Sequence, residues 1–212
     1  MKRKVPPTRM ELLRIRKRLA LAVRGHKLLK DKLEGLVKEV TERLGELKRL
    51  RIELDAQFPE VIQLFAKAAA TASPPATEAA AARACSGAVL RVQHRRIMGV
   101  AVPQMEITLG EGIAPYNLDE TSPYLDAAIE RLRELFPSVV RLGQLEDTIR
   151  RLADELERTR RRTNALEYSV IPDLRATRRS IEARLEEYTR SDISRLMKVK
   201  EMLLARDQRT RG

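Results

Sequence analysis

Apolar residues in the first third of the chain recur in steps of three and four. The stripe starts at Leu12, reaches Val40 without interruption and continues beyond it with one irregular step. Such spacing places one face of a helix against a partner helix, as in a coiled coil. Thr8 is a suitable N-cap, and the prolines at 74–75 end the helix. The pattern therefore predicts one long helix over about 8–72.

A second stripe begins at Leu142 and keeps the same spacing as far as Leu166. Beyond Leu166 it follows an eleven-residue repeat, which winds a supercoil less tightly than heptads do. Pro172 falls inside this stripe and removes one backbone hydrogen bond, so we expect a bend there. The pattern predicts a second long helix over about 138–205.

The segment between the stripes has a different character. Residues 87–109 are rich in β-branched side chains and contain Gly99 and Pro103, which predicts two short strands. Ser122 before a proline is a suitable N-cap for a shorter helix. The expected parts are an N-terminal shaft helix at 1–72, an insert at 73–121 with a β-hairpin at about 89–108, and a C-terminal shaft helix at 122–212 with a kink or short break at Phe136-Pro137.

These elements predict a mostly α fold. We expect a long antiparallel two-helix coiled coil with a small middle insert containing a short β-hairpin. Because the two stripes have similar lengths, such a hairpin of helices would bring both termini to one tip. In that register His26 lies opposite Leu185–Tyr188.

The composition supports an extended helical protein. Of the 212 residues, 34% are charged, 3% are aromatic and none is tryptophan, which is typical of long helices or coiled coil. The single cysteine, Cys85, cannot form an internal disulfide, and this fits a reducing compartment. No apolar run follows the basic start, and no window approaches the length of a membrane span, so we expect neither a signal peptide nor a transmembrane helix.

The net charge of +12 is concentrated at the two ends of the chain. Residues 1–30 contain eleven lysines and arginines and one acid, Glu11. A solvated basic end, a tip that docks into a protein socket and an arm that follows a phosphate backbone all fit this charge. No aromatic residues are interleaved with it, which disfavours the nucleic-acid alternative.

The stretch from Arg24 to Val37 contains glycines and lysines but lacks the spacing of a phosphate-binding loop. His26 lies on the apolar stripe, where a half-buried structural histidine is expected. Glycines recur at 25, 35 and 45, which indicates close helix approach or room for a partner. The sequence contains no nucleophile–histidine–acid set, paired carboxylates or Cys-x-x-Cys, so we expect no catalysis, cofactor or metal site.

Three segments resemble the D subunit of the V-type and A-type rotary ATPases. They are residues 7–37 with GHKLLKDK, residues 97–107 with IMGVAVPQMEI, and residues 161–200 with NALEYSVIPDL. The resemblance implies a central rotor shaft that threads the ring of catalytic A and B subunits. It also implies contacts with the small F subunit of the stalk and with the C subunit, which links to the membrane rotor ring. The shaft binds no nucleotide and couples ATP synthesis or hydrolysis to proton or sodium transport.

The resemblance also suggests partner-binding residues and a location. The basic tip would contact the A/B ring through Lys2, Arg3, Lys4, Arg9, Arg206 and Arg209. The insert would contact the stalk through Val89, Val92, Val100 and Val102. The chain would be a peripheral part of a membrane-bound complex on the cytoplasmic side, without nucleic acid and without membrane insertion. Two alternatives stay open: a basic coiled-coil arm that binds nucleic acid, and a passive cytosolic scaffold.

Overall fold

The computed structural model describes residues 6–72, 74–84, 88–110 and 121–210. Two long helical stretches and a two-stranded antiparallel hairpin confirm the predicted fold class. In chain order the elements are α1 (Arg9–Thr71), α2 (Pro74–Ala84), β1 (Val89–Ile97), β2 (Val100–Thr108), α3 (Pro123–Ala165), a π-helical turn (Leu166–Val170) and α4 (Ile171–Thr210).

The starts of α1 and α3 are capped as the sequence predicts. The Thr8 hydroxyl accepts a hydrogen bond from the amide of Glu11 at 3.2 Å, and the Ser122 hydroxyl accepts one from Tyr124 at 3.4 Å. A side-chain oxygen at this position satisfies an amide that has no partner within the helix. Both helix starts are therefore determined locally.

Helix α3 continues through Pro137, so the short break considered at this position is wrong. Helix α1 likewise includes Pro59. A proline inside a helix removes one hydrogen bond, and at both sites tertiary packing offsets that loss. Phe58, directly before Pro59, and Leu135, two residues before Pro137, pack in one apolar cluster.

The π-helical turn lies directly before Pro172. The amide of Ile171 donates to the carbonyl of Leu166, five residues earlier, so the helix contains one extra residue here. At this turn Val170 is 40% exposed, whereas the next residue, Ile171, is buried. The structure thus has a π-helical turn directly before Pro172, and the bend expected there stays a prediction.

The chain forms two compact units, and α1 contributes residues to both. Unit 1 comprises residues 1–32 and 159–212, and unit 2 comprises 33–158. Within unit 1, Arg16 pairs with Glu182 at 2.8 Å and His26 approaches Glu167 at 3.4 Å. These contacts show that α1 and the C-terminal helices are antiparallel in this unit.

The predicted register is wrong. His26 faces Glu167, which precedes the expected segment Leu185–Tyr188 by roughly 27 Å along the helix at about 1.5 Å per residue. The prediction assumed helices of equal length. However, α1 has 63 residues, whereas α3 has 43 and α4 has 40. The two C-terminal helices together are therefore longer than α1, so they cannot be paired with it over their whole length.

Unit 2 contains the apolar core. One cluster joins Leu54, Val61 and Leu135, with Phe58 packed against it. The other cluster joins α1, α2 and α3 through Ala68, Ala80, Leu125 and Ile129. Phe65 packs against both clusters, so the C-terminal part of α1 is held by contacts with α2 and α3.

Candidate partner-binding surfaces

The β-hairpin has a tight turn at Met98-Gly99. Both turn residues have positive φ, 50° and 84°, as a two-residue type I′ turn requires. The register then pairs Ile97 with Val100 and continues to Val89 opposite Thr108. The turn therefore fixes which residues of β1 and β2 face each other.

Strand β2 attaches the hairpin to the helices of unit 2. Val102 is fully buried, and the amide of Met105 donates to Gln144 Oε1 of α3 at 2.8 Å. At the turn, Met98 Cε lies 2.5 Å from the point that a Cβ on Gly35 would occupy. Gly35 thus provides a notch in α1 for the Met98 methyl group.

The three glycines of α1 therefore differ. The close approach expected at this spacing exists at Gly35, but the approaching group is a methionine of the hairpin rather than a helix backbone. At Gly25 and Gly45 an added Cβ would meet nothing within 4 Å. Of the three, only Gly35 is required for packing within the described residues.

The four hairpin residues predicted to bind a partner do not have equal access. Val89 and Val92 are 54% and 49% exposed, whereas Val100 is half-buried. Val102 is 0% exposed, so the expectation for this residue is corrected to a core position. The helices provide the cover that its side of the hairpin needs.

The basic tip is only partly described. Arg9 is exposed and lines a groove of unit 1 together with Leu12 and Arg190. Helix α4 includes Arg206 and Arg209, while Lys2, Arg3 and Lys4 lie outside the described residues.

Helix α4 carries a surface that was not predicted as a site. Past Arg190, the last α4 residue in the groove with α1, residues 192–203 are all exposed. They include six large apolar side chains with exposures between 47% and 69%, here called the α4 apolar face: Ile193, Leu196, Met197, Val199, Met202 and Leu203. The periodicity had placed this stretch in the paired stripe. The signal that could have revealed the face is length, because the helical residues from 123 onward outnumber those of α1 that could pair with them.

Ion pairs join the helices of unit 2. Glu46 Oε1 accepts a hydrogen bond from Arg141 at 2.6 Å, and Arg43 approaches Glu46 Oε2 at 3.4 Å. The hydrogen bond from Arg141, together with both positive charges, lowers the pKa of Glu46 below its ordinary value of 4.5. Arg43 also donates to Glu39, which raises the pKa of the guanidinium. This network links α1 to α3.

His26 is a partly buried helix residue beside Glu167, with 22% of its side chain exposed. Within residues 6–72, 74–84, 88–110 and 121–210, no group of three or more potential ligands could hold a metal ion. In the same residues no helix combines the length and the apolar character that crossing a bilayer requires.

Antiparallel paired helices, here with an exposed apolar helix end and an exposed hairpin strand, define a coiled-coil protein. Residues 11–201 match the model of the family described as the D subunit of ATP synthase. A V-type ATP synthase D subunit from Fusobacterium nucleatum is 40% identical over 205 residues, covering 95% of this chain and 97% of the relative. The protein of the same name from Acetivibrio thermocellus is 42% identical over 205 residues, covering 95% and 92%.

The chain belongs to the D-subunit family of ATP synthases. This membership makes it a stalk component of a rotary ATPase and not itself the catalytic part, which confirms the prediction. It also favours this function over a nucleic-acid-binding arm. The complex is membrane-associated.

Proposed function

We propose that the chain is the central shaft that turns inside the ring of A and B subunits. In this proposal unit 1 enters the ring, the F subunit binds along the helices, and the C subunit connects the shaft to the membrane rotor ring. The chain lies on the cytoplasmic side as a peripheral component. Its rotation couples ATP synthesis or hydrolysis in the ring to proton or sodium transport.

The α4 apolar face carries this proposal. Large apolar side chains exposed together along one helix end mark a surface that another molecule covers. Full burial of one such side chain contributes about 1.5–3 kcal/mol, so six of them are enough for a stable contact. Basic residues lie among them: Arg195 approaches exposed Asp192 at 3.8 Å, and Lys198 approaches exposed Glu201 at 3.2 Å.

The asymmetry of unit 1 supports a mechanical function. Up to Arg190 the groove is built by α1 and α4 together, and past it α4 residues 192–203 are all exposed. A shaft whose circumference is uneven contacts three surrounding catalytic interfaces differently at any moment. Turning it exchanges those contacts in sequence, which is how the shaft can transmit torque without any chemistry of its own.

The division of the chain into shaft helices and insert belongs to this proposal. The parts of the shaft helices that belong to unit 1 enter the ring, while the insert at 73–121 acts as a stalk contact. Val89 and Val92 are exposed on the hairpin and are the residues of the predicted set that a partner can reach. Replacing the hairpin with a glycine-serine turn is expected to change turnover or affinity for the F and C subunits while preserving the paired helices.

The α4 apolar face is tested with the triple variant Leu196→Ser, Met197→Ser and Leu203→Ser. We expect its affinity for a reconstituted A/B ring to fall by at least about tenfold, or about 1.4 kcal/mol, with a parallel loss of shaft-dependent ATP turnover. Ile62→Ser is the control, because Ile62 is 62% exposed but lies in unit 2. Unchanged ring affinity and turnover in the triple variant would contradict the proposal.

The basic tip is tested by neutralising Lys2, Arg3, Lys4, Arg9, Arg206 and Arg209 to glutamine. We expect ring assembly to weaken and to lose part of its salt dependence, because attraction between charges in solution is screened over a Debye length of about 8 Å at physiological salt. Helicity and melting temperature should stay almost unchanged. Loss of helicity along the whole chain would assign these residues to the fold instead.

A further inference from the structure

The outer edge of β1 is open in the described residues. The sheet has two strands, and every β1 residue from Val89 to Arg96 is exposed. We infer that this edge is a docking site for an extended, acidic segment of a partner protein, which adds to the hairpin as a third strand. The inference deepens the proposed stalk contact. It rests on the proposed function, because the partner is sought in the rotary complex.

The register shows which backbone groups point outward. In a hairpin with a two-residue turn, the pair flanking the turn is hydrogen-bonded, and bonded and non-bonded pairs then alternate. Ile97 and Val100 flank the turn. The β1 residues in non-bonded pairs therefore direct their N–H and C=O groups away from β2, and these residues are Leu90, Val92, His94 and Arg96.

Strand β2 provides an internal check of this alternation. Met105 lies opposite Val92, so its amide should also point outward, and it donates to Gln144 of α3. Pro103 lies opposite His94 and has no N–H that would need an acceptor. Two outward positions of β2 are thus satisfied by α3 or by proline, whereas no helix among the described residues bonds to the outer edge of β1.

Of the features that usually protect an edge strand, β1 has only charged side chains. Proteins usually protect edge strands by making them short or by placing proline, bulges or charges on them. Strand β1 has nine residues, contains no proline and pairs with β2 without a bulge. Leu90 and Val92 are each 49% exposed, and an added strand would cover these apolar side chains.

The charge of β1 defines the chemistry of the occupant. The strand contains Arg91, Arg95 and Arg96 and no acid, and none of the three forms an ion pair with a described residue. Arg91 faces Glu106 across the hairpin, so Arg95 and Arg96 are the more available pair. A strand carrying carboxylates complements them, whereas a second copy of β1 would oppose arginines to arginines.

Amide hydrogen exchange of the full chain, alone and in the reconstituted rotary complex, tests the inference. Strand addition forms backbone hydrogen bonds, so the amides of Leu90, Val92, His94 and Arg96 should slow by at least about tenfold on assembly. The amides of Arg91, Gln93 and Arg95 already bond to β2 and serve as internal controls. Outward amides that exchange equally fast in the complex would overturn the inference, and so would amides already slow in the isolated chain, because the chain itself would then fill the edge.

Variants separate strand addition from side-chain contact. Val92→Pro removes an outward N–H without breaking a ladder bond, as Pro103 already does on β2, and should lower affinity for the stalk partners at least about tenfold. Gln93→Thr, at a ladder position, is the matched control. Arg95→Glu with Arg96→Glu keeps the backbone intact and should weaken the same contact.

The outcomes distinguish this inference from the proposed function. If the chain drives ATP turnover in the ring but the proline and glutamate variants of β1 bind the stalk partners normally, only the inference is overturned. If the chain does not assemble with the ring, the proposed function fails first. A single-stranded oligonucleotide could protect the arginine side chains while the outward amides still exchange as fast as before. That result would indicate nucleic-acid binding and would also overturn the inference.

Discussion

Units 1 and 2 bury their side chains in different ways. Unit 2 contains both apolar clusters, in which residues from three helices meet. Among the described residues of unit 1 the buried apolar residues are single positions, namely Ile15, Ile171 and Ile181. The difference indicates that unit 2 is stabilised by its own core, whereas unit 1 leaves much of its apolar surface for partners.

The threonines of unit 1 reinforce this contrast. Thr159 and Thr163 are buried, and the Thr163 hydroxyl donates to the carbonyl of Thr159. The Thr159 hydroxyl is buried without a hydrogen-bond partner among the described residues. An unsatisfied buried group costs about 1–3 kcal/mol, so this pairing is not optimised for stability alone.

Truncation of a core leucine should give the largest effect. Leu125 is fully buried in unit 2 and Leu196 is 69% exposed on α4. We expect Leu125→Ala to lower the free energy of unfolding by about 2–5 kcal/mol, because a cavity adds to the lost transfer energy. Leu196→Ala should change it by less than about 0.5 kcal/mol. Chemical denaturation followed by circular dichroism measures both, and similar losses would erase the difference between the units.

The glycines of α1 provide a smaller effect. Alanine is more favourable than glycine in a helix by about 1 kcal/mol, so Gly45→Ala should stabilise the chain. At Gly35 the added methyl would displace the Met98 side chain, and that cost should cancel most of the gain. Thermal melting of the two variants tests this, with Gly25→Ala as the corresponding change in unit 1. If Gly35→Ala and Gly45→Ala stabilise the chain equally, the notch at Gly35 does not hold the hairpin.

The pH dependence of Glu46 should give the smallest effect. Its pKa is lowered in the folded state. The ionised carboxylate therefore stabilises unit 2 at pH values above the ordinary pKa of 4.5, and this stabilisation is lost as the pH falls through the folded pKa. We expect Glu46→Gln to reduce stability near neutral pH by less than about 1 kcal/mol, since partly exposed pairs contribute little. The difference from the unmodified chain should disappear in acid, and a difference that grows as the pH falls would have the wrong sign.

The sequence by itself determined the long helical stretches, the strand pair and two helix starts. The two helical stripes, the caps at Thr8 and Ser122 and the strand pair at 89–108 depend on neighbours within a few residues, so local spacing was sufficient to predict them. The family resemblance was likewise carried by contiguous segments. The partner-binding residues were harder to predict, because exposure depends on what packs against each residue, and Val102 proved to be buried.

Only the tertiary structure decided the register. A stripe with steps of three and four is satisfied equally well after every shift of one or two turns, so periodicity cannot choose which residues face each other. The contact of His26 with Glu167 fixed that choice, and at the π-helical turn Ile171 rather than Val170 is buried. The exposed end of α4 and the open edge of β1 also depend on tertiary packing, because exposure is set by what does or does not pack against a residue.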